Sequence, residues 1–188
     1  MKSTKFIALL ITPSIDRGYI HTLSTRLPTL EVDWIMYRSQ SDEYIPSFVE
    51  TLSHKTLLLN LPFTDLKQIL SLSTPFQGVH LKSHLLDYIA PLKKAYEQIN
   101  KTQKLIGYSA HSIKELAYAL ELGADYCTLS PIFFAPNKPA PLGLQVLEDI
   151  PQNLRSRTIA LGGIAKEHIP HLQALGLGGF AGISYFES

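Results

Sequence analysis

The sequence predicts an α/β fold of the TIM (β/α)8 barrel class, with the final helix missing or truncated. Three observations carry this. Eight short runs rich in branched and aromatic residues recur along the 188 residues. Segments with apolar residues at helical spacing separate them, as in β-α units around a parallel sheet. Only "ES" follows the last run, so nothing remains to form an eighth helix. An open doubly wound sheet is the alternative arrangement of the same alternation. With 45% apolar residues and no linker, low-complexity tract or charge block, residues 1–188 are read as one domain.

Taken in order, "FIALLIT" (6–12) is the first strand. It follows a basic start, but "FIALLI" is too short to span a membrane and lacks a small-residue cleavage site, so a secretory leader is set aside. A helix over 16–26 leads to the strand "VDWIMYR" (32–38), and a helix over 41–53 to "TLLLNL" (56–61). The next helix, 64–73, has Asp65 and Gln68 at capping-box spacing before the strand "GVHL" (78–81). A helix over 85–99 precedes "KLIGYS" (104–109), and Ser112 with Glu115 marks the start of a helix over 112–122 that Gly123 ends. The strand "ADYCTLS" (124–130), a helix over 143–150, the strand "TIALGG" (158–163), a helix over 166–175 stopped by Gly176, and the strand "GFAGISYF" (179–186) complete the chain.

Charge narrows the choice of partner. Seventeen Lys and Arg against sixteen Asp and Glu leave no electrostatic footprint for nucleic acid or an anionic membrane, so small molecules or proteins are expected. The single Cys127 excludes an internal disulfide and a cysteine zinc site and suits a reducing cytoplasm. His168 and His171 have metal-compatible spacing, but Pro170 stands between them without a nearby acid, and no metal site is expected.

In a barrel of this class the functional residues gather at the C-terminal ends of the strands. Reading those ends gives Arg38, Asn60, His80 followed by Lys82 and Ser83, Ser109 with His111, Lys138, Gly162 with Gly163, and Ser184. Histidine titrates near neutrality, which makes His111 the candidate acid/base. Arg38 offers a planar fork for a carboxylate or phosphate. Asn60 ends an apolar run, and its amide needs partners from loop backbone or ligand. Lys138 lies in the proline-rich loop "PIFFAPNKPAPLG" (131–143), long enough to suggest a lid. The loops after the seventh and eighth strands are the usual phosphate grip, so Gly162, Gly163, Gly182 and Ser184 are expected to hold a phosphate.

The ordered set "LIGYSAHS", "GADYCTLSPIF", "APNKPAPLG", "IALGGI" and "GFAGIS" resembles thiamine phosphate synthase and its relative, the TenI-type thiazole tautomerase, over most of the chain and most strongly over 105–185. The resemblance implies a barrel that binds a phosphorylated thiazole; in the synthase branch magnesium assists its joining to a pyrimidine pyrophosphate. Several positions depart from the synthase pattern. Met36, Arg38 and Gln40 stand where Gln-x-Arg-x-Lys is expected, and Asn60 is followed by Leu61 in place of a magnesium-binding Asp. Leu85 occupies the second metal-binding position, and Ala135 and Asn137 replace two threonines ahead of Lys138. Leucine cannot ligate magnesium. In the tautomerase branch a histidine after the fifth strand moves a proton, and Ser109, His111 and Ser112 match its "S-x-H-S".

The resemblance thus implies a cofactor-independent thiazole tautomerase first. A divergent synthase, which alone would need magnesium, is the second reading, and a non-catalytic thiazole phosphate or thiamine phosphate binding protein the third. A missing last helix should also expose the "IALL" and "FAGISYF" flanks and allow a homodimer there, unless the first helix and C-terminal residues cover the gap.

Overall fold

A computed structural model describes residues 5–99, 104–136 and 138–187. The strands are β1 (Ile7–Ile11), β2 (Trp34–Arg38), β3 (Thr56–Asn60), β4 (Gly78–Leu81), β5 (Leu105–Ala110), β6 (Tyr126–Leu129), β7 (Thr158–Leu161) and β8 (Gly179–Gly182). They pair in parallel in sequence order, and β8 closes the barrel on β1 through Ile7↔Gly179 to Leu10↔Gly182. The closed ring settles the choice against an open doubly wound sheet.

Strand alternation divides the core in two, because successive side chains face opposite sides. Leu9, Ile11, Met36, Leu58, Tyr126, Ile159 and Ala181 fill the barrel interior. The intervening residues, such as Leu10, Ile35, Leu57 and Ile106, pack outward in the larger cluster under the helices. Those helices are α1 (Arg17–Arg26), α2 (Ile45–Leu52), α3 (Leu66–Leu72), α4 (Ile89–Ile99), α5 (Ile113–Glu121), α6 (Gln145–Glu148), α7 (Gln152–Arg155) and α8 (Ile169–Ala174). No described helix is long and apolar enough to cross a membrane.

Two caps form as their sequence suggests, with a shift of one residue. Asp65 accepts the Gln68 N–H at 2.8 Å, while the Gln68 side chain reaches back to the Thr64 N–H at 2.9 Å. Ser112 accepts the Glu115 N–H at 3.2 Å, and the Glu115 carboxylate takes the N–H of His111 at 2.8 Å.

Three element expectations are corrected. The helix expected over 85–99 begins as a 3-10 turn, Ser83–Tyr88, with Leu85 out of helical geometry. The helix expected over 143–150 shrinks to α6, and Pro151 ends it and opens the unpredicted α7. The last strand stops at Gly182, after which Ser184–Phe186 turns back as a 3-10 helix.

That turn also corrects the expected exposed flank. Phe186 stacks on Phe180 at 5.8 Å, Tyr185 meets Phe180 edge-on at 4.6 Å, and the Arg26 guanidinium donates to the Phe186 carbonyl at 2.8 Å. Phe180 and Phe186 are thereby 5% and 4% exposed. The C-terminal residues cover the gap themselves, and the dimer expectation loses the apolar surface that motivated it.

Candidate functional site

A cavity of about 740 Å³ opens at the C-terminal ends of the strands. All twelve residues singled out at the strand ends line it: Arg38, Asn60, His80, Lys82, Ser83, Ser109, His111 and Lys138 with Gly162, Gly163, Gly182 and Ser184. The barrel brings them together by placing the end of every strand at one rim.

His111 follows β5. Its Nδ1 lies 2.9 Å from the Ser130 carbonyl oxygen, which can only accept, so Nδ1 carries a proton, and in the neutral form of the ring the lone pair is on Nε2. Glu115 fixes the backbone of this loop through the His111 N–H. The Tyr108 hydroxyl donates to the other Glu115 oxygen at 2.6 Å and lies 2.8 Å from the Ser83 carbonyl, linking this loop to the one after β4. Burial and the Glu115 carboxylate hold the Tyr108 phenol well above its ordinary range. Glu115 is a positioning residue that the sequence marked only as a helix start.

Beneath His111, the His80 imidazole is buried among hydroxyls: Nε2 is 2.9 Å from Ser109 Oγ, and Nδ1 is 3.1 Å from Tyr126 OH. Burial lowers its pKa to about 3, so the ring is neutral. Ser109 is therefore held from below by His80. Asn60, 4% exposed, donates to the His80 carbonyl at 2.6 Å, so its amide braces β3 against β4. Arg38 has its backbone pinned by the buried Thr12 hydroxyl, which accepts the Arg38 N–H at 2.9 Å. Cys127 is buried, which pushes its thiol up to about 12 and makes it inert.

On the opposite rim, Gly162 and Gly163 have φ of +99° and +63°, a region that favours glycine. A Cβ on Gly162 would meet Pro131 at 2.9 Å, and one on Gly163 would meet the Phe134 carbonyl at 2.5 Å. These glycines thus admit the loop after β6, whose Phe133 N–H donates to the Gly162 carbonyl at 2.9 Å. Among the described residues, the Gly163 and Ser184 N–H groups are committed to no protein acceptor. Lys138 reaches the cavity from this same loop; Asn137 lies outside the described residues.

The family model for thiamine monophosphate synthase (TMP-TENI) matches residues 9–186. The chain belongs to that family. A protein of Aquifex aeolicus (strain VF5), provisionally named thiamine-phosphate synthase 2, is 34% identical over 138 residues, covering 72% of this chain and 69% of the relative. The thiamine-phosphate synthase of Syntrophomonas wolfei is 33% identical over 118 residues, covering 61% of this chain and 54% of the relative, so that alignment spans about half of the relative's length. Among solved structures, thiamine phosphate pyrophosphorylase from Pyrococcus furiosus superposes with a TM-score of 0.71 at 20% identity, covering 97% of this chain and 87% of its own, a likeness of fold.

The TMP-TENI resemblance raises the question of magnesium. No Asp or Glu is among the described residues that line the cavity. Leu61 and Leu85, at the positions where the synthase pattern places acids, are each 4% exposed and packed in the outer core. Magnesium takes carboxylate and other oxygen ligands, and this lining does not fit it. Arg38, Lys82 and Lys138 give the rim an excess of positive charge instead, and among the described residues none of the three makes an ion pair.

Proposed function

We propose that this TMP-TENI protein is a cofactor-independent isomerase that aromatises a phosphorylated thiazole carboxylate, the tautomerase chemistry of the family. The observation that carries this reading is a cavity whose described lining holds no carboxylate and whose histidine has its tautomer set by the Ser130 carbonyl. The phosphate rests on the Gly163 and Ser184 N–H groups beside Gly162 and Gly182, and Lys138 covers it. Arg38 faces the carboxylate. His111 Nε2 takes a proton from the non-aromatic ring and the imidazolium returns it at the alternate position. The ring gains aromaticity, no atom is lost, and the histidine ends as it began.

A second reading, thiamine phosphate synthase, is favoured by the names of the curated relatives, which point to joining rather than isomerisation. It requires a pyrophosphate to leave from a lining that lacks the acids for magnesium. The chemical demand of the first reading is smaller, since a positioned acid/base supplies about 10²–10⁴-fold.

Conversion of the carboxylated thiazole phosphate to its aromatic tautomer, followed by absorbance with the intact protein and with His111→Ala, tests the proposal. The variant is expected to lose about 10²–10⁴-fold in turnover. A variant as active as the intact protein overturns the role given to His111. Absence of turnover in both overturns the isomerase reading and leaves the synthase or a pure binding protein.

A further inference from the structure

Lys82 is a cavity residue to which neither the site nor the mechanism above gives a task. It follows β4 by one residue, and alternation along Gly78, His80 and Lys82 aims it at the barrel mouth, as Met36 to Arg38 does on β2. The two strands flank β3, so Arg38 and Lys82 rise on either side of Asn60. In a ring of eight strands β3 lies opposite β7, which places this pair across the mouth from Gly163 and Ser184.

The pair is poorly matched without a guest. Lys82 is half-buried, and both its burial and the neighbouring Arg38 guanidinium act to lower its pKa. Two like charges converging on an acid-free cavity are relieved by an anion placed between them. The loop is also held in place, since Ser83, next in the chain, is tied through Tyr108 to Glu115 and so to the His111 backbone.

We propose that Arg38 and Lys82 form a second anion subsite, which holds the second acidic group of the substrate without a divalent metal ion. The ammonium of Lys82 does there the charge neutralisation that carboxylate-bound magnesium would do. The inference rests on the proposed reading that the substrate phosphate sits on the opposite rim. The shared chemistry is an oxyanion, and a ring carboxylate or a second phosphate supplies it.

Calorimetric titrations in excess chelator separate these sources with three probes: thiazole phosphate with its ring carboxylate, thiazole phosphate without it, and inorganic pyrophosphate. Lys82→Ala is expected to weaken the carboxylated probe or pyrophosphate by about 10–100-fold, the loss of one charge-assisted contact, while the carboxyl-free probe binds as before. Lys82→Arg should retain most of the affinity. Loss confined to the carboxylated probe assigns the subsite to a carboxylate, and loss confined to pyrophosphate assigns it to a phosphate. The subsite is overturned if Lys82→Ala binds both anionic probes as tightly as the intact protein, or if pyrophosphate binds the intact protein only when magnesium is added. Failure of the carboxyl-free probe to bind at all overturns the phosphate grip, while the pyrophosphate arm still reads the subsite.

Discussion

His80 shows how one buried side chain both supports the site and sets a cost on acidity. Its imidazole is neutral in the folded protein, with a pKa lowered by burial to about 3 against an ordinary 6.5. Between those values the unfolded chain binds a proton that the native protein refuses, so stability falls as pH drops from about 6.5 toward 3, by up to about 1.4 kcal/mol per pH unit. Urea unfolding across this window should show a flatter decline for His80→Gln, which lacks the titrating group; parallel curves would contradict it. The place of His111 at the cavity was legible from sequence because it lies after the fifth strand and before a capped helix, where a barrel gathers its strand ends. Glu115 was half legible. Capping-box spacing gave its helix position, but the shift of its carboxylate from residue 112 to the N–H of His111 depends on loop geometry that spacing does not encode.

The loop after β6 and the turn after β7 form one element in three dimensions, although 31 positions separate Pro131 from Gly162. Sequence reading assigned Gly162 and Gly163 to phosphate; their packing against Pro131 and Phe134 supplies a second reason for glycine that needs the folded contact to be seen. Gly163→Ala puts a Cβ into the Phe134 carbonyl at 2.5 Å at a φ of +63°. It is expected to destabilise the protein by about 1–3 kcal/mol and to weaken phosphate binding with it. Chemical denaturation paired with a phosphate titration checks both, and an unchanged midpoint would reject the packing argument. Boundaries were less legible where short turns compete with regular helix. The helix expected over 143–150 stops before Pro151, whose fixed φ suits the start of the next turn, α7. Likewise "SYF" has strand-forming residues, but stacking of Phe186 on Phe180 outweighs that preference.

Across the whole molecule, the two ends of the barrel differ in how their charges are paired. Asp33 and Asp125, at the N-terminal ends of β2 and β6, pair with Lys5 and Lys93 and accept the Ala8 and Ile106 N–H groups at 2.9 and 2.8 Å, whereas Arg38, Lys82 and Lys138 line the opposite mouth and, among the described residues, make no ion pair. A nearly neutral composition concealed this difference, because a sum over the chain carries no positions. The barrel class was legible from the count and spacing of apolar runs, but the cover beside β1 and β8, supplied by the turn Ser184–Phe186, was not. Phe186→Ala should therefore cost about 3–5 kcal/mol, read as a lowered unfolding midpoint, by uncovering Phe180; a change below ~1 kcal/mol would show that the turn is not the missing cover. In the proposed function, this mouth carries out proton transfer on an anionic substrate with its own cations and His111, without a divalent ion. Its most direct test is a magnesium titration, in chelator-treated protein, of both thiazole tautomerisation and thiazole–pyrimidine coupling. Tautomerisation is expected to be full in chelator and unmoved by magnesium. Coupling that appears with magnesium, with no tautomerisation at any concentration, would contradict it.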